Sequence, residues 1–436
     1  MEVRNDRETG ACLRKEFRMA FKYVDLSGSD KRGVEQFTEF DPDTPMVSVS
    51  EWLSRPRDVE RRSRLKESLI FHMSLGSKEL FHSNTWAWLM ERDISFVKLF
   101  FPDIPEDVPL TITREEGNRD LTIWVNRGTP KEKAYVIENK FKSIPRRGQL
   151  IQYEGEVGPK FQKGVITGIE KPTWMSEDDV AHWRFLSYQE LSRDLRDIVE
   201  KSSQLGEYKT IMLDYCTMID DMNSVLLNFL NSRETKLLTT EECLSLSDVR
   251  LEDLVNKVSA ERFIAWLQGQ EKIVSMKKMV EEKGLKFLIC TDYSKKHSIV
   301  DVRIINDARP ENEIIKDHGV NSPWLMGVQI ENDNYGRCFQ VGAQTKKING
   351  KNWGHEDIFN KFNELGWLPS KNDLPNSTKK RVQYGRYEVR GKYSFVYQPE
   401  KLTDMTYEAL YKKLLVDMTI ACDFIEKHNV QSILCQ

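Results

Sequence analysis

The chain has 436 residues, which at ~150 residues per domain points to two or three domains. Hydrophobic residues make up 39% and charged residues 31%, a balance that builds packed cores under a solvated surface and excludes a wholly disordered polymer. The 65 Lys and Arg against 68 Asp and Glu leave a net charge of −3, so any nucleic-acid surface must be a local patch.

The opening Met1-Glu-Val-Arg-Asn-Asp-Arg-Glu lacks the apolar stretch of a secretory signal, and no apolar run approaches the ~18 residues needed to span a bilayer. Cys12, Cys216, Cys243, Cys290, Cys338, Cys422 and Cys435 are scattered, with no CxxC pair, which argues against a disulfide framework or a zinc ribbon. The expectation is a cytoplasmic protein with no membrane partner. The first 62 residues read as a partly irregular extension. Phe17–Leu26 there is helix or strand, and the Gly28-Ser29-Asp30 and Asp41–Pro45 clusters are breakers.

From residue 63 the pattern sharpens. Leu65–Leu75 and Lys78–Glu91 have helical spacing, and Pro102 and Pro105 interrupt the chain after them. Leu110–Arg114, Asp120–Val125 and Ala134–Lys140 read as strands, the last two joined through the turn Asn126-Arg127-Gly128-Thr129-Pro130. A helix follows over Ile144–Glu154. Helix, three strands and helix make an α/β or α+β unit with a short mixed sheet, taken as α/β and assigned to residues 63–244 together with a helix over 207–230. A further helix over about 248–270 and the strands Lys286–Thr291, His297–Ile305, Trp324–Ile330, Arg337–Gly342 and Tyr387–Tyr397 give a C-terminal α+β domain, 245–436, which closes with the helix Tyr407–Glu426. The helices over 207–230 and 248–270 are expected to pack the core between the two halves. Residues 369–385 read as an exposed loop.

The chemistry concentrates in residues 119–154. Asp120 opens an alternating apolar strand, and the strand Tyr135-Val136-Ile137 runs into Glu138-Asn139-Lys140. With a period of two, Glu138 and Lys140 share one face, and pairing of the two strands brings Asp120 toward Glu138. Two carboxylates that close repel unless a cation sits between them, and oxygen ligands of this kind suit Mg²⁺. A lysine beside such an ion can orient a water and neutralise a phosphate oxygen, the parts needed to hydrolyse a phosphodiester. A strand ending in Glu-x-Lys is also common on solvated surfaces. Asp301-Val302-Arg303 and Ile330-Glu331-Asn332 repeat parts of the pattern here.

Two flanking features add weight. In Ser77-Lys-Glu79-Leu-Phe-His-Ser83-Asn84-Thr-Trp86-Ala-Trp88-Leu89, helical spacing sets Glu79, Ser83, Trp86 and Met90 on one stripe of a helix apolar nearly all round, so Glu79 points inward as a site residue or one half of a salt bridge. Downstream, Gln149 and Tyr153 lie at i, i+4 on the next helix, able to face the same pocket. Lys140, Lys142, Arg146 and Arg147 form a basic stretch beside the carboxylates, suited to a phosphate backbone or to a solvated turn. Other basic clusters are Arg55–Lys66, which could equally be a charged helix face, and Lys379–Arg381. His82, three residues from Glu79, reads as a packed or capping histidine with a place lining the pocket as the alternative, and the tryptophans read as core and lid packing. No P-loop, GxSxG or dinucleotide fingerprint occurs.

Glu79 in its Leu-Phe-His-Ser-Asn context, Arg119-Asp120 at a strand start, Val-Ile-Glu138-Asn139-Lys140 and Gln149-Leu-x-x-Tyr153 together resemble the PD-(D/E)XK nuclease superfamily. The likeness is to the bacterial branch with an IENK strand after an LFHSN helix, and it covers roughly residues 65–160. The resemblance implies a restriction-endonuclease core, a mixed sheet flanked by helices, in front of the C-terminal α+β domain. It implies Asp120 and Glu138 as metal ligands completed by the Asn139 carbonyl, with Lys140 assisting the nucleophilic water. Glu79 would be an accessory acid at the metal, and Gln149 and Tyr153 would steady the lysine or the substrate phosphate. Arginine stands before Asp120 where the family name has proline, a departure common in the superfamily. The function implied is Mg²⁺-dependent hydrolysis of DNA, with Mn²⁺ as a substitute, RNA as an alternative substrate and phage or plasmid defence as the setting. Partners would be nucleic acid held by Lys142, Arg146, Arg147 and Tyr153, and a second copy or a defence-system protein. Two rival readings stand beside it: a nuclease fold kept as a non-catalytic nucleic-acid or protein binding module, and a structural or interaction protein whose carboxylates sit in surface ion pairs.

Overall fold

The computed structural model describes residues 54–77, 79–141, 147–172, 175, 181–231, 235–293, 298–316, 319, 321–331, 333–342, 355–368 and 394–435. Residues 1–53, with the Phe17–Leu26 segment, lie outside the described residues, as does 369–385. Helix α1 (Pro56–Glu67) starts with proline at its first turn, has Asp58 near its positive end and Arg64 and Lys66 near its negative end. The helix expected over Leu65–Leu75 is two helices. Ser68 is extended, with φ −73° and ψ 119°, and its Oγ accepts the Phe71 N–H at 3.2 Å. That cap ends α1 and starts α2 (Leu69–Ser77). Helices α3 (Glu79–Met90) and α4 (Ile94–Phe100) follow, α4 capped by the Asp93 carboxylate on the Ser95 N–H.

The first sheet runs β1 (Leu110–Glu116), β2 (Arg119–Val125), β3 (Lys133–Lys140), β4 (Phe161–Gly168), β5 (Trp183–Ser187), in spatial order β1-β2-β3-β4-β5. Strands β1 to β3 pair antiparallel, whereas β3, β4 and β5 are parallel. Helix α5 (Arg147–Val157) is the crossover between β3 and β4 that parallel pairing requires. Strands β4 and β5 were not legible in the sequence. Lys163 and two glycines interrupt β4, and Gly164 is there because a Cβ would lie 2.2 Å from the Trp183 ring of β5.

One face of this sheet carries Leu121, Ile123, Tyr135 and Ile137 into the main core, which is filled by α3, α4, α6 (Tyr188–Lys201) and α7 (Tyr208–Asn231). The opposite face packs Trp124, Ala134 and Val136 against Leu150, Tyr153 and Val157 of α5. A capping box of Ser187 and Glu190 starts α6.

Beyond the short helix α8 (Thr240–Leu244), α9 (Glu252–Gln268) serves both halves. Leu254, Val255 and Val258 join the first core, and Ala260, Phe263, Ile264 and Leu267 the second. Both helices expected over 207–230 and 248–270 are core elements, but among the described residues only α9 packs between the halves, whereas α7 belongs to the first core alone. After α10 (Glu271–Glu282) comes a purely antiparallel sheet of order β10-β9-β8-β7-β6, made of β6 (Lys286–Tyr293), β7 (Ser298–Asn306), β8 (Trp324–Glu331), β9 (Asn334–Val341) and β10 (Ser394–Lys401). Helices α11 (Glu311–Lys316), α12 (His355–Glu364), α13 (Tyr407–Lys427) and α14 (Val430–Cys435) complete it. The strand expected over Tyr387–Tyr397 begins at Ser394 among the described residues.

Several contacts among the described residues join the halves, including the Leu237 N–H on the Met405 carbonyl and the Tyr407 N–H on the Thr235 carbonyl. Arg262 of α9 donates from Nε to Glu170, just past β4, at 2.9 Å, and from Nη1 to Asn231 at 3.1 Å. Helix α11 packs against α5, so the second unit borders the helix that carries Gln149 and Tyr153. No helix of the described residues is long and apolar enough to cross a membrane.

Candidate active site

The site forms where β2 begins and β3 ends. The β1–β2 turn passes through left-handed backbone at Glu115, Gly117 and Asn118, and this reversal sets the start of β2 beside the end of β3. Leu121 pairs with Ile137. One residue further along that register, Asp120 stands opposite Glu138. Asp120, Glu138 and Lys140 alternate onto the α5 face, while Ile137 and Asn139 face α3. β3 is the central strand, between β2 and β4, so its polar end is buried, with Glu138 1%, Asn139 0% and Lys140 8% exposed.

Lys140, Glu138, Gln149, Tyr153 and the Asn118 carbonyl form a connected chain, beside which the Asn139 backbone holds Asp120. Lys140 Nζ lies 2.6 Å from Glu138 Oε1. Gln149 Nε2 donates to the same oxygen at 2.7 Å and to the Tyr153 hydroxyl at 2.6 Å. That hydroxyl donates to the Asn118 carbonyl at 2.6 Å. Asp120 Oδ2 accepts the Asn139 backbone N–H at 2.6 Å. Burial and the Glu138 carboxylate push the Tyr153 phenol up to about 12, with Gln149 and Lys140 acting the other way and Asp120 adding to the rise. Arg119 ties the start of β2 to α5, from Nε to Thr122 Oγ1 at 3.2 Å and from Nη1 to Glu156 at 3.4 Å.

Five of the residues expected in the site therefore converge: Asp120, Glu138, Lys140, Gln149 and Tyr153. Asn139 sends its backbone to Asp120 and its side chain to the opposite face. Glu79 is the first residue of α3, but its side chain lies outside the described residues, as do Lys142, Arg146 and the Arg147 side chain. Among the described residues no three His, Cys, Asp or Glu side chains form a metal-ligand group. Of the carboxylates expected at a metal, the described side chains contribute Asp120 and Glu138. Their hard oxygens fit a cation such as Mg²⁺, which keeps several waters and needs few protein ligands.

The other sequence signals resolve as structure. Asp301 and Arg303 form a buried 2.6 Å ion pair, which Gln329 joins at 3.1 Å. The Arg55–Lys66 cluster is largely committed to carboxylates. Arg64 grips Asp221 through Nε at 2.9 Å and Nη2 at 2.6 Å, and Arg62 and Lys66 bind Asp248. His82 is fully buried, its Nδ1 2.7 Å from the Tyr215 hydroxyl. Trp86, Trp124, Trp183, Trp324 and Trp367 are buried. The sequence reading missed Thr167 and Tyr188, both bonded to Asn139, because they lie on elements it did not find. Lys379–Arg381 lies outside the described residues.

No protein-family model matches the chain, and no curated protein or solved structure matches it.

Proposed function

We propose that the chain is a metal-dependent nuclease of the PD-(D/E)XK type that hydrolyses phosphodiester bonds of DNA. The observation that carries this reading is the Lys140 ammonium and the Gln149 amide on one oxygen of Glu138, on the sheet face shared with Asp120. It is supported by the order of elements around it, a helix, three antiparallel strands and a crossover helix leading to a parallel strand. The resemblance in residues 65–160 supplies the substrate class. Defence against phage or plasmid DNA is proposed on the same resemblance.

Asp120 and Glu138 would hold Mg²⁺, with the Asn139 carbonyl and Glu79 as further ligands. A bound Mg²⁺ supplies Lewis acidity toward a phosphate oxygen and a more acidic water. Lys140 brings a positive charge to the place where phosphate charge develops in the transition state. Gln149 holds the Glu138 carboxylate in one orientation, and Tyr153, anchored on Asn118, holds Gln149. Lys142, Arg146 and Arg147 follow β3 in sequence, where the phosphate backbone would arrive.

The test is cleavage of supercoiled plasmid with Mg²⁺, and with Mn²⁺ in its place, by the full chain and its Glu79→Ala, Asp120→Ala and Lys140→Ala variants. Cleavage lost with chelator and in the variants is the expected result. Equal cutting by all three variants overturns the site. DNA binding without cleavage in either metal supports the non-catalytic binding module instead.

A further inference from the structure

Behind the carboxylates, on the α3 face of β3, lies a buried polar cluster. Asn139, Ser83, Thr167 and Tyr188 are each 0% exposed. Asn139 Nδ2 donates to Ser83 Oγ on α3 at 2.9 Å. Thr167 Oγ1 on β4 donates to Asn139 Oδ1 at 2.8 Å, and the Tyr188 hydroxyl on α6 reaches the same oxygen at 3.4 Å. Thr167 Oγ1 is also 3.2 Å from that hydroxyl. Around them stand Phe141, Tyr215 and the rest of an apolar core.

Apolar side chains could fill this volume without the desolvation cost that four polar groups carry. A network in which the amide finds partners for both its donor and its acceptor instead selects one relative arrangement of the elements it joins. Here those elements are α3, β3, β4 and α6, and the residue at the hub is flanked by Glu138 and Lys140. The hub's own N–H is the group that holds Asp120 Oδ2. Ser83 lies one turn beyond Glu79 in the same helix. One amide side chain thus sets the end of β3 against the helix that begins at Glu79, and its backbone holds the carboxylate on the neighbouring strand.

We infer that the Asn139 side chain is a positioning residue for the cation site, acting through its backbone N–H on Asp120 and through Ser83 on α3. This rests on the nuclease reading above. The role belongs to the hydrogen bonds rather than to the volume the side chains fill, and the substitutions can separate the two. Thr167→Val removes the hydroxyl and keeps the shape, whereas Thr167→Ser keeps the hydroxyl and removes a methyl group. Ser83→Ala removes the partner on α3.

Calorimetric titration of the full chain with Mn²⁺ is the measurement, and circular dichroism checks the fold of each variant. Loss of an outer partner typically weakens a metal site 10–100-fold, so about a tenfold or greater loss of Mn²⁺ affinity is expected for Thr167→Val and Ser83→Ala. Thr167→Ser is expected to stay within about threefold of the parent, on the same comparison. In cleavage assays the two damaging variants should lower kcat and leave KM for DNA near the parent value. Tyr188→Phe, which removes the 3.4 Å contact to Asn139 and the 3.2 Å contact to Thr167 but leaves the Thr167–Asn139 bond, should fall between and serves if Thr167→Val does not fold. Equal losses in Thr167→Val and Thr167→Ser overturn the inference, as does unchanged Mn²⁺ affinity in folded Ser83→Ala and Thr167→Val. A parent protein that neither binds Mn²⁺ nor cuts DNA removes the nuclease reading and this inference together.

Discussion

Lys140 Nζ and Glu138 Oε1 stand 2.6 Å apart on the same face of one strand, with their side chains 10% and 2% exposed. An ammonium held this close to a buried carboxylate satisfies it in the absence of a metal and competes with any cation that approaches. In the proposed mechanism the same ammonium is the positive charge offered to the attacked phosphate.

Lys140→Met is therefore expected to separate binding from chemistry. Mn²⁺ affinity, read by calorimetry, should stay level or rise, because a competing positive charge is gone. Plasmid cleavage should fall about 10²–10³-fold, the range found when one electrostatic group is removed from a transition-state site. Loss of Mn²⁺ binding in this variant would show that Lys140 builds the site rather than acts in it.

Tyr153→Phe removes the hydroxyl that links Gln149 to the Asn118 carbonyl. About a tenfold fall in kcat is expected, as for other outer partners. The folded phenol is pushed from 10.0 up to about 12, so it stays protonated throughout the assay range and both pH–rate profiles should run parallel to pH 10. The folded protein holds this proton more tightly than the unfolded chain. Its contribution to stability is whole below pH 10 and is lost as pH rises toward 12. The difference in alkaline unfolding between parent and variant measures it.

Gly164→Ala should destabilise the parallel half of the first sheet. The added Cβ would stand 2.2 Å from Trp183 Cε3, and overpacking of this kind costs about 1–3 kcal/mol. Denaturant unfolding followed by tryptophan fluorescence reads the effect. A variant as stable as the parent would mean that the β4–β5 packing yields freely.

Arg64→Ala distinguishes a latch from a nucleic-acid contact. Asp221 is buried and loses a two-pronged partner, while Arg64 itself is 44% exposed in its side chain. The expected cost is about 1–2 kcal/mol of stability, with DNA affinity within about twofold of the parent and an unchanged salt slope, since no phosphate contact is lost. A reduced salt slope would assign Arg64 to the DNA surface.

Much of this site was readable because it depends on short-range rules. Alternation along β2 and β3 puts Asp120 and the Glu138–Lys140 pair on one face, and the i, i+4 spacing of Gln149 and Tyr153 puts both on the inner side of α5. The turn at Asn126–Pro130 makes the two strands neighbours in sequence, and the structure sets their register, with Val125 opposite Lys133. Strands β4 and β5 escaped notice because their glycines and charged residues blur the period, and β4 owes its place to Trp183, which is distant in sequence. Ser68 was read through as helix because its hydroxyl cap is visible only once the chain bends there.

By itself the amino-acid order determined which strands exist at the site, which of their residues share a face and which helices are apolar enough to be buried. Tertiary structure decided the rest. It made β3 the central strand, so that an exposed-looking Glu-Asn-Lys became a buried one, and it turned Asn139 into a hub by bringing Ser83 and Thr167 to it from 56 and 28 residues away. It also spent the charge of the Arg55–Lys66 cluster on Asp221 and Asp248. Local backbone geometry repeats every two or 3.6 residues and can be read directly. Partners brought together across a long loop leave no periodic trace in the sequence, because the energy that selects them appears only when the chain has closed on itself.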